Sequence, residues 1–305
     1  MRPSALLVLF CLCLLASGCR KDAPPPPSLT PEQKALQQRE ATASEILDQA
    51  MQLVHDGEFL DNDTALGLFN QALDLDPDLT PARYQRAGLL VILGRNDAAM
   101  ADLDYIIEHD PEYMQAHYTR GVLLLRRGEF REAARELTRV IEADSTMAEA
   151  FVRRGLCYLN LDRTDEAVDD FTSALALDPA NLDANYNRGM ARMRLGDYAA
   201  AFKDLSQAFI LDSTNTRLIM ARAKAAMALE QYDAAANDLR RAIGLEPSRS
   251  ALYGLLAEAL KGADDMDGAI EALRKARGLA QAAGDATMAA AYQRQLEAYL
   301  DQTYP

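Results

Sequence analysis

MQAHYTRGVLLLRRGEFREAARELTRVIEADSTM, residues 114–147, runs without a gap into AEAFVRRGLCYLNLDRTDEAVDDFTSALALDPAN, residues 148–181. Laid one over the other, the two segments match column by column: Arg120 with Arg154, Gly121 with Gly155, Ala133 with Ala167, and Leu137 with Phe171. The alanine column extends in both directions as Ala99, Ala133, Ala167, Ala201, Ala235 and Ala269, each 34 residues from the last. A fixed period of that length marks an array of identical supersecondary units. Each is too small to bury its own apolar face and is stable only when stacked on its neighbours.

Three further columns give the unit its internal plan, counted so that this alanine is position 20. Position 8 holds Ala87, Gly121, Gly155, Gly189, Ala223 and Ala257, a run of small residues that lets two helices approach closely. Position 15 holds Gly94, Gly128, Asp162, Gly196, Glu230 and Asp264, which suits a turn between two helices. Position 32 holds Pro111, Ser145, Pro179, Ser213 and Pro247, each after an acid (Asp110, Asp144, Asp178, Asp212, Glu246). Proline cannot continue a helix interior, so the second helix ends there, and the acid is expected where the next helix begins.

A small residue at 8, alanine at 20, leucine or aromatic at 24 (Leu103, Leu137, Phe171, Leu205, Leu239) and proline at 32 together resemble the tetratricopeptide repeat. The aromatic at position 4 is kept weakly (Phe151, Tyr253), and position 7 departs from the family's leucine. The resemblance implies an all-α, right-handed solenoid of about seven helix-turn-helix repeats. These lie near 43–79, 80–113, 114–147, 148–181, 182–215, 216–249 and 250–284. The first repeat carries an insertion of about three residues, with Gly57 and Phe59 opening its turn and Ala65, Phe69 and Ala72 in the repeat's small and aromatic positions. After residue 284, Met288, Tyr292, Leu296 and Tyr299 form the stripe of a capping helix within a tail spanning 285–305.

The amino end reads differently. Met1-Arg2 is basic, Ala5 to Ala16 is apolar, and Ala16-Ser17-Gly18-Cys19 is a small-residue run ending in cysteine. About a dozen apolar residues are too few to cross a bilayer, which needs roughly 20, so residues 1–18 read as an export signal. The ending resembles the bacterial lipobox, which implies lipidation of Cys19. Residues 19–42, with Pro24 to Pro27, read as a lipid-anchored, disordered, proline-rich linker. Arg20 follows the cysteine, and by resemblance to the sorting pattern of Gram-negative lipoproteins this favours an outer-membrane protein facing the periplasm. A secreted or surface-exposed protein is the alternative location. Cys157 lies on an apolar helix face and reads as a buried, inert thiol.

A formal charge of -14 argues against nucleic acid and anionic lipid surfaces as partners. The charge is divided within each repeat. Over residues 80–249, positions 1–14 hold 13 basic and 2 acidic residues, and positions 15–34 hold 9 basic and 24 acidic ones. Much of the basic excess forms one column at position 7, namely Arg86, Arg120, Arg154, Arg188 and Arg222. Position 23 answers with Asp102, Glu136, Asp170, Asp204 and Asp238. Both columns lapse together at each end of the array, which points to structural ion pairs within each repeat rather than to a ligand site.

In the family the first helices line a concave groove. Here its expected partner-binding residues are Tyr84, Tyr118, Arg126, Arg153, Tyr186, Met193, Arg194, Arg217 and Lys224, among apolar Val91, Leu125, Leu159 and Met227. Aromatics, methionines and arginines suit peptide recognition. The expected partner is a protein or peptide segment of acidic character, with the membrane engaged through Cys19. The expected role is a lipid-anchored envelope scaffold or adaptor; a groove-based sensor of an envelope peptide or glycan fragment is the alternative. The three histidines, His55, His109 and His117, lack ligand spacing, and no phosphate loop or nucleophile motif is present. No metal, cofactor or catalytic role is expected, and the oligomeric state is left open.

Overall fold

The computed structural model describes residues 29–303 apart from 56 and 57, and side chains at 55–59 are not described. Cys19 and Gly57 lie outside the described residues. The chain forms two compact units, one ending at Leu79 and one running from Thr80.

In the first unit, α1 (Pro31–Met51) and α2 (Asn62–Leu75) form a hairpin, joined through the paired two-residue strands β1 (Val54–His55) and β2 (Glu58–Phe59). The helix α1 begins earlier than the sequence suggests, so residues 31–42 are helical rather than a disordered linker. The cause is local. Thr30 accepts a hydrogen bond from the Gln33 amide, the Gln33 side chain accepts one from the Thr30 amide, and Pro31 occupies the first helical position. The polar composition that reads as linker is also composed of good helix formers, and Arg39 adds a bond to the Leu75 carbonyl at 3.2 Å.

The second unit is a stack of six hairpins and a final helix. The hairpins are α3 (Thr80–Ile92) with α4 (Asn96–His109), α5 (Met114–Arg127) with α6 (Phe130–Ala143), and α7 (Ala148–Asn160) with α8 (Thr164–Leu177). They continue as α9 (Leu182–Leu195) with α10 (Tyr198–Leu211), α11 (Thr216–Ala228) with α12 (Tyr232–Leu245), and α13 (Ser250–Gly262) with α14 (Met266–Ala282). The architecture is an all-α solenoid. Helix α15 (Ala286–Thr303) closes it with Tyr292, Leu296 and Tyr299 buried, while Met288 stays on the surface.

Each column now has a structural cause. The position-20 alanines are fully buried, as are the position-24 side chains from Leu103 to Leu273. Burying one such leucine or phenylalanine contributes roughly 1.5–3 kcal/mol. Position 24 packs on position 8: a methyl group added at Gly155 would sit 2.8 Å from Phe171, and one at Gly189 would sit 2.8 Å from Leu205. Position 15 is left-handed in every repeat of this unit, at φ from 57° for Asp162 to 80° for Gly128. Glu230, at φ 59°, adopts that backbone without the help of a glycine or a short polar side chain.

The acid before position 32 sits differently from its sequence expectation. Asp110, Asp144, Asp178 and Asp212 cap the end of the preceding second helix. Their carboxylates accept the amide two residues on, at 2.9–3.2 Å, folding the chain into the turn before the next helix starts. Where threonine follows, its hydroxyl joins the same carboxylate, and these bonds hold Asp144 and Asp212 below the usual carboxylate range.

Candidate functional site

Within the second unit, successive first helices touch one another directly: α5 with α7, α7 with α9, α9 with α11, and α11 with α13. Successive second helices are not brought together to the same extent. The stack is therefore tighter along the first-helix wall, which is the inside of its bend.

The ion-pair column joins this wall to the second helices. Arg86 Nε donates to Asp102 at 2.8 Å, Arg154 to Asp170 at 2.9 Å, Arg188 to Asp204 at 2.9 Å and Arg222 to Asp238 at 2.8 Å. In each case Nη2 grips the second carboxylate oxygen. The carboxylates of Asp102, Asp170 and Asp204 are buried, where a two-pronged arginine fork supplies direction as well as charge.

A third arm was not legible from these two columns. Nη1 of Arg120, Arg154 and Arg188 reaches back to the preceding repeat, to Asp104, Thr138 and Thr172 at 2.8, 3.0 and 3.2 Å. These acceptors all occupy position 25, so a column of short acceptors there was the available signal. The ladder thus ties five hairpins internally and, at Arg120, Arg154 and Arg188, also ties a hairpin to the one before it.

Glu136 breaks the aspartate column, and the structure shows why. Its Oε1 takes Arg120 Nη2 at 2.8 Å, while Oε2 lies 2.5 Å from Nδ1 of the fully buried His117. Nε2 of His117 donates to the Pro111 carbonyl at 2.9 Å. Both ring nitrogens face acceptors, so a proton sits between His117 and Glu136, and the longer glutamate is what reaches it.

His117 also explains the irregular position 4. Asn185 donates to the Pro179 carbonyl at 3.1 Å and the Tyr253 hydroxyl to the Pro247 carbonyl at 3.2 Å, the same bond made by His117. After Ser145 and Ser213, position 4 is the apolar Phe151 and Ile219. Position 4 is therefore set by the turn that precedes it.

On the inner wall, the expected binding residues divide into two groups. Tyr84, Tyr118, Tyr186 and Met193 are half-buried between repeats. The Tyr84 hydroxyl lies 3.2 Å from Thr119 Oγ1, and Tyr118 is hydrogen-bonded to Arg153. Burial, with the Glu149 charge, pushes the Tyr118 phenol above its ordinary value. Arg153 is half-buried and paired with Glu149, so it is engaged by its own wall. Leu159 is buried, and Val91 and Leu125 are half-buried. Arg126, Arg194, Arg217 and Lys224 are exposed, with Arg194 also touching the Leu159 carbonyl at 3.2 Å. Lys224 opens onto a cleft of about 300 Å³ between α11, α13 and α15, lined by Met220, Glu258 and Tyr292.

Cys157 is fully buried, and burial, with the Asp170 charge beside it, pushes its thiol up to about 12. Among the described residues no cluster of metal-ligating side chains occurs, and no helix is long and apolar enough to cross a membrane.

Stacked two-helix units on a 34-residue plan, with a packed alanine core and a continuous first-helix wall, define a helical repeat protein of the solenoid class. The chain belongs to the tetratricopeptide-repeat family: the family profile matches residues 84–147, 118–181, 158–215 and 220–286, more than half of the sequence.

Solved structures agree on the fold. A tetratricopeptide repeat protein from Parabacteroides merdae is 15% identical with a TM-score of 0.58, over 85% of this chain and 99% of that one. YrrB, described as a TPR protein with an unusual peptide-binding site, is 21% identical with a TM-score of 0.57, over 63% and 97%. MamA from Desulfovibrio magneticus is 19% identical with a TM-score of 0.51, over 58% and 97%. Comparison with curated protein sequences gives no match.

Proposed function

We propose that this protein is a non-catalytic scaffold whose first-helix wall holds an acidic, extended or helical segment of a protein partner. The observation that carries the reading is the segregation of charge. In an acidic chain, after the position-7 arginines are consumed by the ladder, Arg126, Arg194, Arg217 and Lys224 still present cations on the inner wall. Between them lie half-buried tyrosines and methionines, the side chains that peptide-binding surfaces favour. YrrB, a neighbour in fold, carries a peptide-binding site by its description, so the architecture is compatible with that use.

The amino-terminal reading adds a location. Acylation at Cys19 would hold the scaffold at the bacterial envelope, in the outer membrane on the periplasmic side. Several acyl chains give a firm anchor, at about 0.8 kcal/mol per buried methylene. The role is then that of an adaptor which keeps one envelope protein near another.

The test is a crosslinked pull-down from envelope membranes, with wild-type protein beside a variant reversed at Arg126, Arg194 and Lys224. A stoichiometric partner that is lost from the variant, and from wild type as salt rises, is the expected result. Retention by the variant removes the inner wall from the binding site. Cys19→Ala is expected to release the protein from membranes; continued sedimentation with them removes the anchor.

A further inference from the structure

The second helices carry most of the acid of the array, and α6 stands apart from the second helices on either side of it. At positions 18, 22 and 26 the second helices carry Asp97, Ala101 and Tyr105 in α4, and Asp165, Asp169 and Ser173 in α8. Between them, α6 carries Arg131, Arg135 and Arg139 at the same three positions. A spacing of four residues puts all three on one face of the helix. Nothing in the repeat plan calls for them, because that face does not form the hairpin's core.

These arginines border a cleft of about 620 Å³ between α6 and the end of the next first helix. Arg163 closes its far side, stacked 4.4 Å over the Tyr158 ring. The floor is apolar, made by Tyr158, Leu161 and the buried Ala134. Glu132 pairs with Arg135 at 2.8 Å and Glu166 with Arg163 at 2.9 Å. Arg131 and Arg139 have no ion-pair or hydrogen-bond partner among the described residues. The cleft therefore offers two uncommitted guanidinium groups above an apolar floor.

We infer that the cleft between α6 and α7–α8 is a second docking site, on the outer wall, which takes an acidic peptide segment with an aliphatic or aromatic side chain among its carboxylates. The guanidinium forks match carboxylates in shape and charge, and Tyr158 and Leu161 give the apolar side chain a floor. None of the inner-wall residues Tyr84, Tyr118, Arg126, Arg194, Arg217 and Lys224 lines the cleft, so the site is separate from the inner wall. The scaffold can then hold two partner segments at once, one on each wall.

The test uses the full chain and a fluorescein-labelled peptide with two leucines in a run of glutamates, followed by fluorescence anisotropy. A glutamine analogue serves as the uncharged control. Arg131→Glu with Arg139→Glu is expected to weaken binding at least tenfold, whereas the inner-wall reversal at Arg126, Arg194 and Lys224 leaves the outer-site affinity in place. A photocrosslinker at Arg135 is expected to label the peptide. Both arginines are exposed, so unchanged thermal melting of the double variant is the folding control, and lysine at the same two positions should restore part of the affinity.

Equal binding of the glutamine analogue would overturn the assignment. So would full retention by the double variant, loss only in the inner-wall variant, no binding by wild type, or complete displacement by millimolar inorganic phosphate. Loss confined to the inner-wall variant would support the inner-wall reading, and the pull-down from envelope membranes tests that reading separately.

Discussion

The third and fourth repeats carry the same rung of the ladder with opposite electrostatics. Glu136 is buried, which raises its carboxyl, yet hydrogen bonds from Arg120 and His117 hold it below the ordinary range. At Asp170 burial is again the largest influence, and here the Arg154 fork fails to reverse it, so the carboxyl stands above its ordinary value. One rung is held by hydrogen bonds from two side chains of the same hairpin. The other holds a charge that its surroundings disfavour. Buried ion pairs of the second kind specify geometry more than they stabilise.

The largest expected effect is on removal of the carboxylate. Glu136→Ala strands the fully buried His117 and leaves half-buried Arg120 with Asp104 alone, and should cost about 3–5 kcal/mol in urea unfolding. Asp170→Ala strands only Arg154, which keeps Thr138, and should cost about half as much. Equal losses would break the contrast between the rungs. Asp170→Ala should also leave partner binding intact in the folded fraction; loss of binding without loss of stability would move the column from the frame to the site.

A smaller effect separates the same two repeats at position 8. An added methyl group at Gly155 meets the ring of fully buried Phe171 at 2.8 Å, while at Gly121 it meets Leu137 at 3.1 Å and Glu136 Cβ at 3.3 Å. Alanine relieves the entropic cost of glycine in a helix by about 1 kcal/mol, so the sign turns on the clash. Gly155→Ala should destabilise by roughly 1–3 kcal/mol and Gly121→Ala by less than about 1. The reversed order would mean that the fourth repeat yields more readily than its ring packing implies.

The smallest effect, and the sharpest in sign, is the pH dependence. The lowered carboxyl of Glu136 contributes stability above the unfolded value of 4.5 and loses it as pH falls through the folded value. The raised carboxyl of Asp170 favours the folded state below 3.8, and that advantage disappears as pH rises through its folded value. From about pH 3 to pH 6, Glu136→Gln should therefore fall further behind wild type, and Asp170→Asn should close its deficit. Chemical denaturation across that range reads both slopes, and slopes of one sign would remove the distinction.

How much was legible without coordinates differed from column to column. The period, the small residue at 8, the buried alanine at 20, the turn at 15 and the pairing of positions 7 and 23 within a repeat could all be read from spacing. The reason is that a repeat shows each environment several times over. Position 4 could not be understood in that way, because His117, Asn185 and Tyr253 share no residue type, only a bond to a proline carbonyl in the turn before them. The start of α1 was missed because its polar residues read equally well as linker, and the decision fell to the cap at Thr30 and Gln33.

The sequence alone thus determined the class of fold, the number of hairpins and the partition of charge between their two helices, since all three follow from the 34-residue register that periodic apolar burial imposes. Only the tertiary structure decided which cations remain available. Arg153 is spent on Glu149 and Tyr118, whereas Arg131 and Arg139 face an open cleft, and that difference depends on which neighbours the stacking brings within hydrogen-bond reach.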